Sequence, residues 1–218
     1  MPQVNVFNWR AGAGWIVLSG GGPIDSDDVN NIEARMLQHT VSQGPIAYVW
    51  AASDLEAADR HMDSLRELGA RTGYLVDVVL EEDDALRAQL SEAGVVILGD
   101  GSRIERLYDA MSGVVLRGIE EAFRRGATIY AVGQSAAMLG ALVPAGDGFG
   151  WLANAVIMPA YTAQQADQLR DGVLRQPGGY GLGIAAGAAL ALGPQGEVEV
   201  WGNASITISL GQDFTPGE

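Results

Sequence analysis

The sequence predicts an α/β protein of three layers, a doubly wound and mostly parallel sheet with helices on both faces. Three observations carry that expectation. Short apolar runs alternate with amphipathic ones along most of the chain, the pattern of repeated strand–helix units. The strand-like runs are nearly all apolar and do not alternate with polar residues, which points to burial on both sides, as in a parallel sheet covered by helices. Glycine-bearing turns follow three of the runs, at Gly20-Gly21-Gly22, Gly99-Asp100-Gly101 and Gly133-Gln134-Ser135, and the carboxyl ends of strands are where such folds hold ligands.

In chain order, strands are expected at Trp15–Leu18, Ile46–Trp50, Tyr74–Val79, Val95–Leu98 and Thr128–Val132. Helical patterns lie between them at Asp27–Val41, Leu55–Leu68, Asp83–Ser91 and Arg103–Arg125, the last broken near Ser112-Gly113. After residue 143 the pattern changes to a Gly-rich stretch and one helix, Thr162–Leu174. Strand-like pieces follow at Gly183–Leu192, Glu197–Trp201 and Ser205–Leu210, read as antiparallel edge structure that completes the sheet. At 218 residues and 48% hydrophobic the chain can build one sizeable core. With no linker-like block, repeat or low-complexity tract, residues 1–218 are expected to form a single domain.

Composition narrows the chemistry. The net charge of −14 argues against nucleic acid and anionic membrane surfaces as partners. It leaves room for a small cationic ligand, although an acidic shell most often serves solubility. No apolar run approaches the ~20 residues of a membrane span, and the N-terminus MPQVNVFNWRAG lacks a secretion signal's pattern. A cytoplasmic location is therefore the expectation. The absence of cysteine removes disulfides and thiolate chemistry. All 13 basic residues are arginine, which removes Schiff bases, a Walker-type loop and a Ser–Lys dyad. Only His39 and His61 remain as ordinary general bases. No two histidine or carboxylate positions show ligand spacing for a metal. "LSGGGPID" fails the dinucleotide fingerprint, because Asp25 stands where the third glycine belongs. No cofactor is expected.

"GQSAA" is one residue from the G-x-S-x-G elbow that presents a nucleophile on a strand-to-helix turn, with Ala137 replacing the last glycine. Ser135 is the candidate nucleophile. No histidine follows it, so the Ser–acid–His order of α/β-hydrolases fails. His61, on the helix face of Ala58 and Leu65, reads as a packed or partly exposed residue, with catalysis as the alternative. His39, near the end of its helix, can meet the helix dipole.

The segments "WIVLSGGG", "IAYVWAASD", "VILGDGSRIERL", "GATIYAVGQSAAM", "GYGLGIAAGAALAL" and "GEVEVWGNASITI" together resemble the cyanophycinase and peptidase E family of serine peptidases, over nearly the whole chain. The resemblance implies the class I glutamine amidotransferase-like fold. It places Ser135 at the nucleophile, with Gly99, Asp100 and Ala136 at the oxyanion hole and Gly101 and Gln134 at substrate-binding positions. Tyr161, in "IMPAYT", falls where the family has its base histidine. Ala185 and Ala186 fall where it has an acidic pair. A phenol titrating near 10 is a poor acceptor for a serine proton at neutral pH.

Three readings stay open. The chain is a pseudoenzyme that binds a peptide or small molecule; or an active serine hydrolase of small acidic peptides (Asp-X or β-aspartyl-arginine dipeptides) using Tyr161 or His61; or a structural or interaction subunit. A homodimer is a further expectation.

Overall fold

The structure, a computed structural model, describes residues 6–143, 146–176 and 178–215; residues 1–5, on which the reading of the N-terminus partly rests, lie outside them. The first half alternates strictly: β1 (Ile16–Ser19), α1 (Asp27–His39), β2 (Ile46–Val49), α2 (Leu55–Glu67), β3 (Gly73–Val76), α3 (Asp83–Glu92), β4 (Val95–Leu98), α4 (Ile104–Ala110), α5 (Val114–Arg124) and β5 (Thr128–Val132). The second half holds α6 (Gln134–Ala137), β6 (Leu142–Val143), β7 (Gly146–Asp147), β8 (Ala155–Pro159), α7 (Ala166–Leu174), β9 (Tyr180–Ile184), β10 (Ala188–Leu192), β11 (Val198–Gly202) and β12 (Ile206–Leu210).

Seven strands form the main sheet in the order β11-β10-β1-β5-β4-β2-β3. From β1 to β3 all neighbours are parallel, and β10 and β11 add antiparallel pairs at one edge. β1, β2, β4 and β5 are buried along their whole length, which is why their sequences do not alternate. Side chains still alternate between two cores. Val17, Tyr48, Ile97 and Tyr130 pack against Ile32 and Met36 of α1 and Met62 and Leu65 of α2. Leu18, Val49, Leu98 and Ala131 face the opposite core, with Leu90 of α3, Leu107 of α4, and Ile119 and Phe123 of α5. Helices thus cover both faces, as the sequence predicts.

Local chemistry sets the helix ends. Ser26 caps α1 by accepting from the Val29 N–H, and Asp54 caps α2 by accepting from the Ala57 N–H at 2.8 Å; such caps satisfy N–H groups that have no partner inside the helix. The break expected near Ser112-Gly113 separates α4 from α5, with Gly113 at φ +65°.

The region after residue 143 departs from the expectation of edge strands on one sheet. Five strands make a second sheet, β12-β9-β8-β6-β7, stacked over the first core through Ile157, Tyr180 and Leu182. The single strand expected at Gly183–Leu192 is two strands in different sheets, divided by a turn at Gly187, φ +76°. In "GIAAGAALAL" every residue is small or apolar, so no change of periodicity marks the crossing. Among the described residues no helix is long and apolar enough to cross a membrane.

Candidate functional site

The carboxyl ends of β1, β4 and β5 bring the three glycine turns together. The residue on the sharp turn from β5 into α6 is Gly133, at φ +56° and ψ −127°, the strained positive-φ conformation of a strand-to-helix elbow, which glycine adopts most readily. Ser135 lies two residues further on, inside α6 and fully buried. Its hydroxyl donates to the Gly99 carbonyl at 2.5 Å. The geometry therefore moves the elbow two residues upstream, to Ala131-Val132-Gly133-Gln134-Ser135. The expectation that Ser135 stands on the turn is corrected by this register.

A Cβ on Gly133 would overlap the carboxyl group of Asp100. That carboxylate lies over the bare turn, and its Oδ1 accepts from the Gln134 N–H at 2.9 Å and the Gly101 N–H at 2.8 Å. In an elbow the N–H of the residue after the nucleophile and one from a neighbouring loop form the oxyanion hole. Here those two donors are Gln134 and Gly101, and Asp100 occupies both. The donors expected from the resemblance are committed elsewhere: Ala136 N–H to the Gly133 carbonyl at 3.0 Å and Gly99 N–H to the Val49 carbonyl at 3.1 Å. Asp100, expected to offer a backbone donor, also brings its carboxylate to the turn, and the Gln134 backbone N–H holds that carboxylate. The Gln134 side chain is exposed beside an apolar hollow of about 260 Å³ lined by Ile104, Tyr108, Met138 and Val143.

Tyr161 follows β8. Its ring lies against Gly183, where a Cβ would clash with it, and its N–H donates to the Ile184 carbonyl at 3.0 Å. Among the described residues its hydroxyl makes no hydrogen bond, so nothing joins it to Ser135. Ala185 and Ala186 form the turn between β9 and β10, beside Gly20. His39 stacks on Trp201, ring centroids 5.2 Å apart, and meets the edge of Trp15; its role is packing.

His61 is the surprise on the other face of the sheet. It is buried, and both ring nitrogens are engaged: Nδ1 with the Tyr48 hydroxyl at 2.9 Å and Nε2 with Glu33 Oε1 at 2.5 Å. Tyr130 donates to the same Glu33 oxygen at 3.2 Å. Ser19 lies beside this group, its hydroxyl accepting from the Gly21 N–H at 3.1 Å. Register explains the meeting, since Tyr48 and Tyr130 flank Ile97 at one level of the sheet, under α1 and α2. Burial, then Glu33, then Asp100 push the Tyr48 phenol well above its ordinary range, and burial and Glu33 do the same to Tyr130. Tyr48 therefore keeps its proton and shares a hydrogen bond with Nδ1, while Nε2 faces Glu33. The Tyr48 hydroxyl also lies against Gly99, where a Cβ would come within 2.7 Å of it. The cluster thus sits directly beneath the elbow's neighbouring turn.

Sequence reasoning missed Glu33, Tyr48, Tyr130 and Ser19. One signal was present: Glu33 falls on the apolar stripe of α1, among Val29, Ile32 and Met36, where a charge has to find a buried partner.

No family model matches the sequence, and no curated protein does either. Solved structures do resemble it. A peptidase from an acI-B1 Actinobacterium superposes with a TM-score of 0.73 at 20% identity, over 95% of this chain and 97% of its own. A protein from Listeria monocytogenes EGD-e, named provisionally as a peptidase E, gives a TM-score of 0.59 at 13% identity, over 88% of this chain and 99% of its own. The chain has the fold of these peptidases.

Proposed function

We propose that the chain is a peptidase E-like protein that binds a ligand at the rim of its sheet and does not cleave amides through Ser135. One observation carries the reading: Asp100 Oδ1 takes both N–H donors of the elbow above a glycine that offers no side chain. Covalent hydrolysis by a serine needs an alcohol on the turn, a neighbour to accept its proton, and free donors for the oxygen that becomes negative. Gly133 removes the first. The Ser135 hydroxyl is turned onto a backbone carbonyl, which takes its hydrogen bond but is no base. His61 is held by Glu33 and Tyr48, and Tyr161 has no link to Ser135. A carboxylate already sits where the oxyanion would form, so charge developing there meets repulsion in place of stabilisation. Binding is favoured over a purely structural role because one hollow opens beside Gln134 and another beside Asp100.

The test is a fluorophosphonate probe followed by peptide mass mapping, together with turnover of aspartyl dipeptides by the purified chain. No label on Ser135 and no hydrolysis are expected. Labelling of Ser135, or hydrolysis lost in Ser135→Ala, overturns the reading.

A further inference from the structure

Between the Gly21-Gly22 loop, α1 and α2 lies a cavity of about 170 Å³, bounded by Tyr48, His61, Glu33 and Asp100. It could hold about six waters at ~30 Å³ each, the scale of a short aliphatic group with a polar head. Beside Tyr48, Ser53 and His61, its polar lining carries charge of one sign. Glu33 and Asp100 are among its lining residues and no arginine is, in a chain that has no lysine to supply. Arg103 belongs to the adjoining surface hollow, with Asp54. Glu33 is fully buried, and although its Oε1 takes hydrogen bonds from His61 and Tyr130, its Oε2 is buried with no hydrogen-bond partner among the described residues. A buried carboxylate oxygen without a donor is costly, and the cost is removed by a cation or donor brought to it. Val29 and Val132 supply apolar wall, where the stem of an organic cation can lie.

We propose that this cavity is a binding site for a small organic cation, a primary ammonium or guanidinium group on a short aliphatic stem, with Glu33 as its inner anion and Asp100 at its mouth. The inference rests on reading the chain as a binder and names the class of ligand. Charge and size together select it. An anion would meet two carboxylates, a neutral alcohol would leave Glu33 uncompensated, and a folded macromolecule cannot enter. The glycines of the Gly21-Gly22 loop keep the entrance open: Gly21 is at φ +79°, and a Cβ on Gly22 would approach Val29 at 3.2 Å.

The experiment titrates the purified chain with propylammonium and methylguanidinium chlorides by calorimetry, against 1-propanol and sodium propionate at matched ionic strength. Amide shifts of Gly21 and Gly22 report the location. Saturable one-to-one binding of a cation, with those shifts and no response to the controls, is expected. Glu33→Gln should weaken it about tenfold or more, the worth of a hydrogen bond to a charged group. Ala57→Leu, which fills the cavity from the exposed first turn of α2, should block it in a folded protein. No cation binding, equal binding of propanol, or binding indifferent to both substitutions overturns the proposal. Those results leave the absence of hydrolysis untouched. Hydrolysis through Ser135 beside intact cation binding would instead overturn the proposed function and spare the site.

Discussion

The elbow at Gly133 and the cluster around Glu33 lie on adjacent turns and opposite faces of one sheet, and their polar groups are in opposite condition. At the elbow each element of a hydrolase is accounted for internally: the donors by Asp100, the serine by Gly99, the turn by a bare glycine. In the cluster, four side chains from two helices and two strands converge, and one carboxylate oxygen still has no partner among the described residues. The region that carries the motif is closed on itself, and the region that reads as core holds the unsatisfied charge. A motif thus locates a shape, while unpaired chemistry locates capacity.

Three substitutions sharpen that contrast. The largest effect is expected for His61→Leu, which removes the main partner of a buried carboxylate; breaking such pairs costs about 3–5 kcal/mol, read as a fall in the denaturant midpoint at constant slope. A loss under about 1 kcal/mol would mean that the cluster is open to water. Next is Gly133→Ala, which puts a side chain in a strained positive-φ conformation and into the Asp100 carboxyl group. The expected loss is about 2–3 kcal/mol. Adding Asp100→Gly should return the part due to collision, seen as a coupling of about 1 kcal/mol or more in the double-mutant cycle. Additive losses would show that the carboxylate does not sit over the turn. The smallest change is Ser135→Ala, which deletes one buried hydrogen bond to Gly99 and should cost about 1 kcal/mol, with the far-ultraviolet spectrum unchanged.

Much of the scaffold is readable in the residues. Val95–Leu98 and Thr128–Val132 form strands with the expected bounds, and the helix break falls at Gly113, where the backbone turns to positive φ. The second sheet is not readable, because the short strands β6 and β7 and the split of Gly183–Leu192 leave no trace in apolar periodicity. The elbow is legible as a place but not in register. Gly133-x-Ser135-x-Ala137 and Ala131-x-Gly133-x-Ser135 are overlapping frames of small residues, and a serine draws the eye to the first. Only φ separates them, and glycine's permissiveness is what makes the second frame fit. The cluster depends on Tyr48 and Tyr130 reaching one level across Ile97, a fact of sheet register that no local window contains.

Asp100 also has a practical consequence for reagents. Aldehydes and boronic acids grip serine hydrolases by turning into tetrahedral anions that settle on the elbow's amides. In this chain that seat already has a tenant, tethered to its own backbone and carrying the same charge. Such warheads should pass it by even when supplied with an ideal peptide leader, and a chemoproteomic survey built on them would never count it.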